Sequence, residues 1–496
     1  MKKPLGMGLA FATAAVLALG VSAVALQVGP GKEIHDKLFG ERHGPVLRGE
    51  RDLVNGDGDA EDEADDAEAK AAPGKPVHQV WPAGVQPGLV NAAAAPGWTG
   101  ESVVDTTQDD WEPAIAFDPN GTYAYLVTTR YSAPKACGNC PKHVMWLLRS
   151  TDGGATWNTG TYLCACPGTN GQNDPQIEVA SDGSVYAVWM DDYKPGVVFA
   201  RSTDHGVTWT APVAVLAKSM HFTDKPIMAI SPTGRDVYIN FNVSDSYMVV
   251  SHNFGATFSA PVKTNGGDGR YYFAGGGRVL PNGTVVFTDS SFTQTSTGDV
   301  FVHVIRSTDS GATWTQTQVA TMRQQPTCVS AGCTADYYGT IPALGADANG
   351  KLVLTYTGAT VAQGPQRVYV MRSTDSGATW TTPADIGGPQ GANAGFTAVV
   401  GTGNGDFRMF YMDNRSGAAS WDTWYRSSVD GGVTWTAEVR ISDATSGPTY
   451  VNANGFNQPY GDYGEIRVTP AGKTYATWGE GLSYTGPGGV WVNRTS

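Results

Sequence analysis

A chain of 496 residues with 41% hydrophobic content has enough apolar material for a large core, and its length alone suggests roughly two to four compact units. Glycine is abundant at 63 residues, aromatics make up 10%, and helix-type signals are nearly absent, so a helical protein is not expected. The net charge of −13 argues against nucleic acid as a partner, although much of that charge is local and says little about the folded part.

The chain opens with basic MKK, followed by apolar, Ala-rich Leu5–Val21 and the small-residue pattern Ala23-Val24-Ala25. Residues 1–25 therefore read as a secretory signal peptide; the alternative is an uncleaved N-terminal anchor. No Cys follows the apolar run, so lipoprotein attachment is not expected. Residues 26–96 read as a disordered acidic and Pro/Ala-rich linker. Its core, "NGDGDAEDEADDAEAK", has no aromatic or β-branched residue and cannot bury enough surface to fold. Its spaced aspartates do not match the Gly and Glu positions of an EF-hand loop, so no cofactor is expected, calcium being the one ion left open.

From Trp111 onward two series interlock. The first is Ser-x-Asp-x-Gly-x-Thr-Trp at Ser150–Trp157, Ser202–Trp209, Ser307–Trp314, Ser373–Trp380 and Ser428–Trp435, with a worn copy, "SHNFGATF", at Ser251–Phe258. The second is a set of tight turns at Asn120-Gly121, Asp182-Gly183, Thr233-Gly234, Asn282-Gly283, Asn349-Gly350, Asn404-Gly405 and Ala471-Gly472, mostly of type I′ hairpin sequence. One module is then strand, tight turn, strand, loop, strand, box, strand. Repeated at about 50 to 65 residues, it predicts an all-β propeller of four-stranded antiparallel blades.

Seven turns against six boxes predict seven blades, the last lacking its fourth strand. The segment Gly97–Gln108 is expected to supply that strand and close the ring, so the propeller spans 97–496; a six-bladed ring with a loose C-terminal strand pair is the alternative. Within the box, Ser, Asp, Gly and Thr suit a reinforced turn, with Asp152, Asp204, Asn253, Asp309, Asp375 and Asp430 at its centre. The preceding Arg149, Arg201, Arg306, Arg372 and Arg426 recur with it and read as blade hardware.

This pattern resembles the Asp box, or bacterial neuraminidase (BNR) repeat, of the sialidase superfamily. The resemblance implies a glycan-recognising propeller whose boxes lie away from the substrate face. It implies an arginine clamp for a substrate carboxylate, a Tyr nucleophile activated by Glu, and an Asp acid/base. Residues of those types recur at the opposite, top ends of the modules. Arg130, Arg270 and Arg415 are the clamp candidates, Tyr271 or Tyr337 with Glu480 the nucleophile pair, and Asp192 or Asp413 the acid/base. The sequence departs from the sialidase Arg-Ile-Pro motif at "YYGTIPAL", where Thr340 precedes Ile341-Pro342. Other top-end residues, including Glu112-Pro113, Asp174-Pro175 and Asp224-Lys225-Pro226, serve equally as turn formers at strand starts.

Six cysteines fall into Cys137/Cys140, Cys164/Cys166 and Cys328/Cys333. In an exported protein they predict disulfides, with crosslinks between the first two pairs and a small loop closed by the third. A four-cysteine zinc site on "CGNC…CAC" is the rival. The sequence thus predicts a secreted, monomeric, sialidase-like propeller that recognises an extracellular glycan or glycoprotein, with exo-sialidase-type hydrolysis as its enzymatic form. Neither a nucleic-acid partner nor a membrane partner after signal cleavage is expected. A non-catalytic binding propeller and a cell-surface scaffold are the alternatives.

Overall fold

The computed structural model describes residues 94–107, 109–131, 133–169, 171–191, 196–216, 223–293, 298–325, 339–417, 421–442, 463–481 and 488–496. The signal-peptide reading, the linker reading up to residue 93, and the candidates Asp192, Tyr337, Cys328 and Cys333 lie outside these residues. Alternating apolar residues interrupted by Asn-Gly-type turns fold into seven four-stranded antiparallel sheets, and no helix occurs among the described residues.

In blade 1 the strands are Asp109–Phe117, Ala124–Tyr131, Val144–Ser150 and Thr161–Tyr162, hydrogen-bonded in chain order. Blades 2 to 6 repeat this order with inner strands Gln172–Val179, Asp224–Ile230, Tyr271–Val279, Ala343–Ala346 and Ala394–Thr402. Blade 7 contributes Glu465–Val468, Thr474–Gly481 and Gly488–Arg494, and its outer strand is Ser102–Val103. Ser102 pairs with Val492 and Val103 with Trp491, while Trp98 bridges to Thr495, so the N-terminal segment closes the ring. Inner strands pack against one another in sequence around the axis, and that of blade 7 packs against that of blade 1. Seven blades are present, and the six-bladed alternative is set aside.

The core consists of apolar wedges between neighbouring blades. Phe410 of blade 6 packs with Trp478 and Trp491 of blade 7, and Met145 and Leu147 of blade 1 pack with Trp189 and Ala200 of blade 2. Each blade thereby buries both faces, which orders the inner strands and leaves polar chemistry to the two mouths of the axis.

Candidate functional site

The boxes lie between the third and fourth strands, at the same end as the tight turns. In blade 4, Ser307 Oγ donates to Asp309 Oδ1 at 2.8 Å and accepts the Gly311 N–H at 2.8 Å. Asp309 Oδ1 then accepts the Thr313 N–H at 2.9 Å, and its other oxygen accepts the Thr313 hydroxyl at 2.6 Å. The residue before the box glycine takes a left-handed backbone in every copy, at Gly153, His205, Phe254, Ser310, Ser376 and Gly431. In the worn copy Asn253 makes the same bonds with one reversal: its amide Nδ2 donates to Thr257 Oγ1 at 2.9 Å. The boxes are brackets, and two of the arginines ahead of them hydrogen-bond the next blade's bracket. Arg149 donates to the carbonyl of His205, and Arg306 to that of Ser376 at 2.8 Å.

The rim arginines are held by partners of their own blades and, for Arg130, of the N-terminal closing segment as well. Arg130 is 2% exposed, bonded to Asp110 at 2.6 and 2.8 Å and to Asp105 at 2.7 Å, with its guanidinium 4.0 Å over Trp146. Burial opposes its charge, but those two carboxylates hold its pKa above the ordinary value. Arg270 donates to Ser291 and to the carbonyl of Asp299, over the Phe301 ring. Arg415 grips Asp413 at 2.6 and 2.9 Å and Glu438 at 2.5 Å, over Trp424. The structure therefore unites two candidates, Asp413 and Arg415, as an ion pair, and binds Arg130, Arg270 and Arg415 to partners in blade 1 with its closing segment, blade 4 and blade 6. Tyr271 is buried in blade 4 and accepts a hydrogen bond from Asn242 Nδ2 at 3.0 Å. Glu480 is buried in blade 7 and accepts from Trp478 Nε1 at 2.7 Å. Thr340, at the position of the absent motif arginine, is buried at the start of blade 5.

Convergence occurs nearer the axis. The inner strands of blades 1, 2, 3 and 6 skip register between Trp111 and Ala114, Asn173 and Gln176, Asp224 and Ile227, and Gly395 and Ala398. Each skip is a bulge whose first residue takes positive φ: Glu112 at 56°, Asp174 at 53°, Lys225 at 46° and Phe396 at 52°. A side-chain-bearing residue in this region costs about 1–3 kcal/mol and persists only where surrounding structure enforces it. Lys225 Nζ of blade 3 lies 4.0 Å from the Tyr463 ring of blade 7 and 5.0 Å from the Phe273 ring of blade 4. Tyr463 Oη in turn donates to the Pro175 carbonyl of blade 2 at 3.4 Å. Glu112 Oε2 accepts the Thr129 hydroxyl at 2.9 Å. Beside them Trp111, Tyr131 and His143 form an aromatic file with centroid spacings of 4.6 and 4.5 Å, and Tyr131 Oη meets Asn173 Nδ2 at 3.2 Å. The bulges thus place Glu112, Asp174 and Lys225 at the same point of three inner strands, with Asp174 and Lys225 buried, and Lys225 meets Tyr463 of blade 7. Glu112, Asp174, Lys225 and Tyr463 were not singled out as chemistry in the sequence. The available signal was an X-Pro step at the same point of three modules.

The cysteine loops flank this mouth, with a pairing that differs from expectation. Cys137 joins Cys140, and Cys164 joins Cys166, in place of crosslinks between the loops. Local turns bring the partners together: the Cys140 N–H bonds the Cys137 carbonyl at 3.2 Å, and Cys166 has φ 41°, so the Cα separations are 5.0 and 5.2 Å. The loops are tied instead by the Gly168 N–H donating to the Asn139 carbonyl at 2.7 Å. With all four sulfurs in disulfides, the zinc alternative has no ligand set there.

Residues 283–438 match the family model described as a BNR repeat-like domain. Similar solved structures include a Hadza microbial sialidase, 16% identical, covering 78% of this chain and 66% of that one at a TM-score of 0.44. A polysaccharide lyase, the ulvan lyase of family PL25 bound to a GlcA–Rha3S unit, is 11% identical over 78% of this chain and 93% of its own, with a TM-score of 0.49. Trypanosoma rangeli sialidase in complex with 2,3-difluorosialic acid is 15% identical over 82% of this chain and 56% of its own, with a TM-score of 0.41. No curated protein sequence matches the chain. Residues 283–438, in blades 4 to 6, thus carry a BNR repeat-like domain, and the described residues of the chain form a seven-bladed β-propeller.

Proposed function

We propose that the protein acts on an extracellular glycan at the channel mouth framed by Glu112, Asp174, Lys225 and Tyr463. The observation that carries this reading is the strained ring itself: three inner strands each use a left-handed residue to hold a charged side chain at the same end of the axis. Carboxylates are the groups that glycoside chemistry uses as acid and base, and the buried aromatic file of Trp111, Tyr131 and His143 backs the strands that carry them. The disulfides support an oxidising, extracellular setting. In this reading Arg270, Arg415, Asp413, Tyr271 and Glu480 shape the rim, and sialoside hydrolysis is one member of the substrate class.

The test is reporter release or chain cleavage across a panel of sialosides, neutral glycosides and uronate-containing polysaccharides. Glu112→Gln and Asp174→Asn should each lower kcat by about 10²–10⁴-fold with little change in melting temperature. Unchanged turnover in both variants would remove the mouth from the chemistry. A second reading, glycan capture without turnover, draws on the three rim arginines being already held by carboxylates or carbonyls of the protein; it predicts retention on the same panel, lost in Lys225→Ala, with no product.

A further inference from the structure

The opposite end of the axis holds a separate cavity of ≈ 440 Å³ between the tight turns of blades 6, 7, 1 and 2. Its wall contains Arg467, which is fully engaged on one edge: Nη2 pairs with Glu178 at 2.6 Å and Glu465 at 2.5 Å, and Nε donates to the Ile115 carbonyl at 3.1 Å. Its remaining nitrogen, Nη1, makes no hydrogen bond. Arg278 of blade 4 adds a second guanidinium to the same electrostatic group; its own bond is to the Gly277 carbonyl at 2.6 Å. Two arginines thus face two glutamates. On the far wall Arg408 and Asp406 cancel at 2.8 Å, and Asp118 accepts the Thr122 and Tyr123 N–H groups.

We infer that this basal cavity binds a neutral sugar ring. The volume falls in the range of small-ligand pockets. Each arginine is matched by a carboxylate, and the one carboxylate in excess, Asp118, is bound to the Thr122 and Tyr123 N–H groups, so a charged guest finds no free counter-charge in a partly buried site, whereas hydroxyls can both accept from Arg467 Nη1 and donate to Glu178. Phe117, Val179, Val468 and Pro470 supply apolar wall for the ring's C–H face.

Saturation-transfer NMR on the full chain with methyl glucoside, methyl galactoside and methyl rhamnoside tests this, with glucuronate and glucosamine as charge controls. Expected is saturable binding of a neutral glycoside, absence of binding by both controls, and loss of the signal in Thr402→Trp, which fills the cavity at its rim. Glu178→Gln removes one negative charge and should turn the preference towards glucuronate. No saturable neutral binding, binding that survives Thr402→Trp, glucuronate preference in the unmodified protein, or no change of preference in Glu178→Gln would each overturn the inference.

Discussion

At the residue scale, the boxes carry a measurable acid signature. Asp204, Asp309 and Asp375 have their pKa lowered to about 2 by the hydroxyl of the box threonine and then by its backbone N–H. A carboxylate depressed in the folded state contributes stability that is complete above its unfolded pKa of about 3.9 and is lost as pH falls through the folded value. Melting temperature should therefore drop between about pH 4 and about pH 2, and Asp309→Asn should flatten that limb. Asn253 already shows that the amide can hold the bracket, so the variant tests charge and not shape. A full acid limb in the variant would assign acid sensitivity to other carboxylates. The box residues were legible because the hydrogen bonds among the box's own Ser, Asp, Gly and Thr are all made within eight positions of sequence. The rim residues were not, because the side chains that occupy Arg130, Arg270 and Arg415 come from neighbouring strands and a neighbouring segment.

At the element scale, each bracket is also a joint between blades, since a side chain of the preceding blade sits under the box glycine: a ring at Gly154, Gly206, Gly255 and Gly311, and a valine at Gly377 and Gly432. A β-carbon placed on Gly255 would lie 2.0 Å from Phe199 Cε1, and Gly255 has φ +78°, so neither space nor backbone admits a side chain. Gly255→Ala should cost about 2–4 kcal/mol in a denaturation experiment, the sum of overpacking and left-handed strain. A loss below about 0.5 kcal/mol, the scale of an ordinary surface change, would mean that the joint yields. The inner-strand bulges are the element the sequence concealed. X-Pro steps mark where three of them begin, but a register skip is set by pairing with the second strand, and Phe396 makes the fourth without any proline. Disulfide pairing belongs here too, because it follows local turn geometry at Cys140 and Cys166 that the spacing of the cysteines did not reveal.

At the scale of the whole molecule, the ring is closed by very little chain: two paired residues, one bridge and the side chains behind them. Trp98 is 6% exposed and stacks edge-on against Tyr425 of blade 6 at 4.9 Å, so the closing segment also grips the adjoining blade. Trp98→Ala should cost about 3–5 kcal/mol, and removal of residues 94–107 should expose the Gly488–Arg494 edge and promote association, read by light scattering. Unchanged stability in both would show that the ring holds without its clasp. The sequence by itself determined the module, the count of blades and the closing segment, because turn chemistry and strand alternation act over a few residues and repeat. Only the tertiary structure decided which polar groups meet at the axis. Lys225 of blade 3, Tyr463 of blade 7 and the Pro175 carbonyl of blade 2 are brought into contact only when the ring has closed.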